Sequence, residues 1–224
     1  MVLRTFSPAR AWRPAVVARV AQTLGLTKTM HTSSTPVHAL ILLVAIALSS
    51  CAGPPITEIQ SALAQAKPCC ASYETVRFVP LVEAVRHKFQ IDASTQVLRS
   101  SEGPAYFLAF QLPRGAKSLE VQALLSTGFL PNSTYADPLL VVLDSRYREI
   151  AEARDLPLVW GWHVILPGLF EHHFGATLDL PAESQYVVVF ARPHSTRRQT
   201  AVADNGTRRP VPNSPVGTIA LVPR

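Results

Sequence analysis

Three kinds of side chain in this sequence could carry chemistry: carboxylates, imidazoles and indoles. A glycoside hydrolase needs two acids facing each other across a sugar. Glu120, Asp137, Asp144 and Glu171 are the candidates, but nothing in their spacing pairs them. Asp144 ends an apolar run and reads as a turn or cap residue. His163, His172, His173 and His194 could ligate a metal, since imidazole is the commonest metal ligand. The adjacent His172 and His173 point to opposite faces of any strand they occupy, and no Cys-x-x-Cys or His-x-x-x-His spacing supports a centre. They read as surface or edge histidines. The chain has no Gly-rich phosphate loop, no Gly-x-Ser-x-Gly elbow and no His-Glu-x-x-His helix. No catalytic residue, metal site or cofactor is therefore expected.

The indoles are the more informative group. Trp160-Gly161-Trp162 sets two indoles on one face of a strand, about 6.6 Å apart, with the opposite face left bare by glycine. Such a pair either plugs a core between two sheets or offers a platform on which the apolar face of a sugar ring stacks. Tyr135, in the irregular stretch 127–138, is a candidate third contact.

The elements that must position these residues read as strands. From Cys69 onward apolar residues recur with period 2. Val85, His87, Phe89 and Ile91 share one side of a strand, and Leu119, Val121, Ala123 and Leu125 share a side of another. Residues 106–110, 139–143, 186–190 and 217–222 are β-prone runs stopped by Pro, Asp or Arg. Short strands separated by turn residues, with 19 prolines, predict an all-β fold, an antiparallel β-sandwich of jelly-roll type over 69–224. Tyr147 to Arg154 reads as a short helical turn. Residues 192–215, rich in Arg and Pro, read as a mobile loop with a tight turn at Asp204-Asn205-Gly206.

The start of the chain reads as an address. Ala39 to Leu48 is an unbroken apolar run of ten residues, too short to span a bilayer but right for the core of a secretory signal. It is preceded by Arg4, Arg10, Arg13, Arg19 and Lys28, and residues 1–50 contain no acid. Leu48-Ser49-Ser50-Cys51 resembles a bacterial lipobox, which makes Cys51 the candidate lipidation site. Residues 1–50 are then a signal with a long basic region, and Met30 is an alternative start to Met1. Residues 51–68 read as a tether in which Ile56, Ile59, Leu63 and Ala66 fall near helical spacing. Beyond the leader, 16 basic and 15 acidic residues leave a net charge of +1, which removes the case for a nucleic-acid partner. The remaining basic excess lies in 192–224, with six Arg and one Asp. It is either a solvated segment or a contact for an acidic surface such as phospholipid headgroups. If Cys51 is acylated, Cys69 and Cys70 remain. They either bond to each other, stay as thiols, or bond to another chain.

Several segments together resemble one family. These are Pro68-Cys69-Cys70-Ala71-Ser72, then Ile91-Asp92-Ala93-Ser94-Thr95-Gln96. Next come Gly103-Pro104-Ala105-Tyr106-Phe107-Leu108-Ala109-Phe110-Gln111-Leu112-Pro113 and Pro138 to Asp144, and finally Gly217-Thr218-Ile219-Ala220-Leu221. In order and spacing, residues 68–222 resemble the maltose operon periplasmic protein (MalM) family. The resemblance implies an exported accessory of maltose and maltodextrin uptake, with a maltodextrin-type oligosaccharide and a porin or transporter component as partners. It carries over no catalytic residue. The expectation is a non-enzymatic protein of the periplasm, anchored by its lipid to a membrane, the outer membrane by the Ala52 that follows Cys51. A structural or interaction module that binds no sugar is the alternative, and a glycan hydrolase using Glu120, Asp137 or Asp144 is a third.

Overall fold

The computed structural model describes residues 55–128, 130–193, 195–203 and 205–224. The expected signal over 1–50, Met30, Cys51, His194 and Asp204 lie outside the described residues. A helix, α1 (Ile56–Gln65), precedes the strands β1 (Val79–Pro80), β2 (His87–Ile91), β3 (Val97–Ser100), β4 (Gly103–Gln111) and β5 (Ser118–Leu124). There follow β6 (Pro138–Leu143), β7 (Glu149–Ala153), β8 (Val159–Leu166), β9 (Leu169–Asp179), β10 (Tyr186–Ala191), β11 (Arg198–Val202), β12 (Arg208–Pro212) and β13 (Gly217–Pro223).

The strands form two main sheets, β1-β4-β10-β6-β7 with β3 also on β4, and β2-β13-β5-β9-β8. Four antiparallel pairs are nested in the chain: β2 with β13, β4 with β10, β5 with β9, and β6 with β7. This is one long hairpin rolled up so that its eight strands divide between two sheets, the plan of a jelly roll. The fold is the expected all-β sandwich. Three pieces lie outside the eight-strand plan. β1 and β3 border β4, β8 adds an edge beyond β9, and β11 with β12 forms a separate hairpin between β10 and β13.

The main core lies between the sheets, where Tyr106, Phe110, Leu140, Val187 and Val189 face Ile91, Val121, Phe174, Ile219 and Leu221. The first sheet is buried on its outer face too. There Leu98, Phe107, Val141, Val188 and Phe190 pack under Tyr73, Val76 and Phe78. This double burial explains why β6 is apolar at every position rather than alternating. Cys70 belongs to the same cover, and Cys69 and Cys70 are joined as a vicinal disulfide.

Three expectations are corrected. Residues 56–65, placed in a free tether, form α1, whose Ile59 and Leu63 belong to the main core while Gln60 Nε2 donates to Pro193 O at 2.8 Å. Tyr147–Arg154 is no helical turn: residues 149–153 are β7, paired along β6. Segment 192–215 is largely an ordered hairpin. Ala201 and Val211 are fully buried in the core, so the hairpin is held by packing as well as by its own ladder. Its turn is the one expected at Asn205-Gly206, with Gly206 at φ +77° and Asn205 Oδ1 accepting from Thr207 N.

Candidate functional site

Strands β8 and β9 form a ribbon longer than the sheet that carries it. Pairing of β5 with β9 stops at Leu124 opposite His173, while β8 and β9 continue to pair out to Leu166 opposite Leu169. A two-residue turn, Pro167-Gly168, closes the ribbon, with Gly168 at φ +80° as a type II turn requires. Trp160 and Trp162 stand on one face, beside Phe174 and His172 of the partner strand. Their shared face, expected from the sequence, is present.

The two indoles differ in environment. Trp160 is half-buried: His172 stacks on it at 5.1 Å between centroids and 7° between planes, and Phe174 meets it at 5.3 Å. Trp162 is 61% exposed. Trp160 is thus packed into the wall while Trp162 presents an open ring. Opposite them, the end of β11 supplies Val202 and Ala203. Between the two hairpins lies a cleft of about 420 Å3, lined by Trp160, Trp162, Phe170, His172, Val202 and Ala203. It adjoins a more polar hollow of about 270 Å3, which shares His172, Val202 and Ala203 and adds Asn205, Thr207 and Arg209. Aromatic faces beside a polar lobe can seat an amphipathic ligand, with stacking on one side and directional hydrogen bonds on the other.

Tyr135 is not a cleft residue. It is fully buried, packed edge-on against Phe174 at 5.1 Å, and its hydroxyl donates to Arg197 O at 3.3 Å. Burial raises its pKa, with the nearby Asp137 acting in the same direction. It supports the wall from behind and offers no surface to a ligand. The sequence reading also missed Phe170, Val202 and Arg209. Pro167-Gly168 between two apolar runs was the signal for the ribbon, but no local signal brings β11 across to it.

Behind the ribbon His173 fills the space that Gly161 leaves. A Cβ on Gly161 would stand 3.1 Å from His173 Nε2, and one on Gly175 3.2 Å from Cδ2. His172 and His173 do point to opposite faces. Burial lowers the His173 pKa, with Arg86 acting in the same sense against Glu120 and Glu171. On this outer face Glu171 meets Arg86 at 2.7 Å and Lys88 at 2.5 Å. Burial pulls the Glu171 carboxyl up, but these two cations outweigh it and hold it below its ordinary value.

The other carboxylates are structural. Arg192 gathers Glu102, Asp137 and Asp155, at 2.7, 3.3 and 3.2 Å. Ser195 Oγ donates to Asp137 at 2.6 Å, and Asn213 Nδ2 donates to Arg192 O. Burial pushes the Asp137 carboxyl up, opposed by Ser195 and Arg192. This cluster ties the start of the 192–215 excursion to the loop before β6. Asp144 lies at the far end of β6 from Asp137, about 20 Å away at strand rise. It accepts from Arg146 N and Arg148 N as a turn residue. Glu120 pairs with Arg224 on the outer face of the second sheet. Glu120, Asp137 and Asp144 therefore do not converge. Among the described residues no three of His, Cys, Asp and Glu gather as a metal site would require, and no helix is long and apolar enough to cross a membrane.

Compared with known proteins, the chain matches no family model, and no curated protein or solved structure shows significant similarity to it.

Proposed function

We propose that this is a non-catalytic glycan-binding protein of the bacterial envelope, lipid-anchored through Cys51 and acting as an accessory in maltodextrin uptake. The observation that carries the binding reading is the cleft between the two hairpins. Its open Trp162 ring and half-covered Trp160 stand beside a hollow bearing Asn205, Thr207 and Arg209. A hexose ring stacks its apolar face on an indole and turns its hydroxyls toward hydrogen-bonding groups, and the cleft offers both on adjoining sides. The choice of α-glucan, and the porin or transporter as partner, rest on the family resemblance of residues 68–222. The lipid anchor rests on the lipobox reading.

The test is calorimetric titration of the protein with maltodextrins and with a panel of unrelated glycans, repeated on Trp162→Ala. Binding of a maltodextrin that weakens in the variant supports the proposal. Heat with another glycan keeps the site and replaces the ligand. No heat with any glycan at millimolar concentration refutes the binding reading.

A further inference from the structure

We propose that the tip of the β8–β9 ribbon is a membrane-docking spike that enters the surface of a lipid bilayer. Leu169, the partner of Leu166, stands four residues beyond His173, the last ribbon position paired with β5, which at strand rise is about 13 Å. Val164, Ile165, Leu166, Leu169 and Phe170 are each 46–60% exposed. With Val159 and Trp162 they make up most of the large apolar side chains that the described residues leave in water.

The pattern selects the occupant. A ribbon facing water, or lying in a one-sided protein groove, alternates apolar with polar residues. Here Val164 and its partner Phe170 share one face while the paired Leu166 and Leu169 take the other, with Ile165 at the irregularity between them, so the tip is apolar all round. A surrounding apolar medium matches that pattern, and a flat partner surface matches only half of it. Trp162, at the base of the tip, sits where an amphipathic indole meets the headgroup region. The charge pattern agrees with an anionic surface. Residues 156–170 contain no acid, Glu171 is neutralised by Arg86 and Lys88, and the neighbouring hairpin exposes Arg208 and Arg209.

Chain length supplies an independent constraint. Because α1 is docked rather than free, only five residue steps separate Cys51 from Ile56, a reach of at most about 18 Å. The helix is fastened at Pro193, just beyond the end of β10, at the pole of the sandwich from which the ribbon projects. A lipid on Cys51 would hold that pole close to the bilayer. This step alone rests on the lipid-anchor reading.

The test reads the tip directly. The full chain carries Cys51→Ser and Leu166→Cys, labelled with a polarity-sensitive nitrobenzoxadiazole dye. It is mixed with vesicles of phosphatidylethanolamine and phosphatidylglycerol. A second chain carries the label at Glu183→Cys, in the turn at the opposite pole. The expected result is a severalfold brightening and blue shift at position 166, quenched by spin-labelled lipid, with no change at position 183. Adding Leu169→Asp is expected to abolish the signal at 166. An unchanged label at 166, or equal responses at both positions because the leader alone holds the chain to the vesicle, overturns the proposal. So does brightening at 166 that grows with protein concentration in the absence of vesicles, which identifies a second copy as the occupant. Glycan titration is separate, so either reading can fail while the other stands.

Discussion

Replacing Trp162 by alanine separates the cleft's two tasks, because this ring contributes less to the fold than Trp160 does and more to the open wall. Trp162 leaves 61% of its surface in water. For an indole side chain of about 250 Å2, that is about 150 Å2, of which one face is about half. A sugar ring covering about 75 Å2 of that face contributes about 2 kcal/mol at about 25 cal/mol per Å2, close to thirtyfold in Kd. The remaining surface, about 100 Å2, is buried by the fold, so Trp162→Ala is expected to lower the unfolding free energy by up to about 2 kcal/mol.

Trp160 gives the contrasting result. Its ring is covered by His172 and Phe174 and packs against the main core. Trp160→Ala is expected to lose affinity and also to destabilise the fold by about 3 kcal/mol, the low end for a buried aromatic because the side chain is only half covered. Calorimetry with the best ligand of the glycan panel and urea unfolding, run on the same preparations, read the two effects. Trp162→Ala binding within twofold of the parent would refute the stacking argument, whatever ligand is used. Equal loss of stability in both variants would refute the division of roles.

Arg192→Met strips the cation from Asp137, whose side chain is 1% exposed, and is expected to cost about 3–5 kcal/mol, seen as a lower thermal midpoint. Adding Asp137→Asn should recover part of that loss, since the orphaned charge goes with it. His173 is held neutral by burial, with a folded pKa below 6.5. The unfolded chain then binds the extra proton first, so stability falls as pH drops below about 6.5 until the folded pKa is reached. His173→Gln should flatten urea midpoints measured across that window. Leu63→Ala, at a residue 1% exposed, is expected to cost about 2–5 kcal/mol and to open residues 56–68 to limited proteolysis.

Six of the eight strands that form the roll, all but β7 and β9, were legible because each buries at least one face. Residues 119–123 alternate apolar with polar in the sequence, and 139–143 and 186–190 are continuous because both faces of their sheet are covered. The failures share a cause in tertiary context. Residues 149–153 are good helix formers, yet the open edge of β6 claims them as a strand. The Arg- and Pro-rich 192–215 segment has the composition of a loop, but Pro210 and Pro212 sit at exposed positions of β12, where no core packing is lost. One buried residue per strand, Ala201 and Val211, is enough to pin that hairpin, and two residues are too weak a pattern to find in a sequence. The first wall of the cleft was visible in Trp160-Gly161-Trp162. The second lies some forty residues later, and only the fold brings it near.

The departures from the eight-strand plan and the candidate site fall in the same place. A closed roll buries its apolar residues between and over its sheets and needs neither β8 nor the β11–β12 hairpin for that purpose. Both additions stand at the pole where Arg192 ties the loops together, and between them they enclose the cleft. The ribbon goes further, holding five aliphatic or aromatic side chains about half in water. At about 1 kcal/mol of unrealised burial each, that forgoes a free energy comparable with the whole stability of a typical domain. Polar residues would serve a merely structural edge strand as well, without the risk of aggregation that an exposed apolar ribbon brings. The fold therefore concentrates its unsatisfied apolar surface at one end, on a two-stranded ribbon, next to its open indole. That placement favours a role in contact with other molecules over a role in stabilising the sandwich.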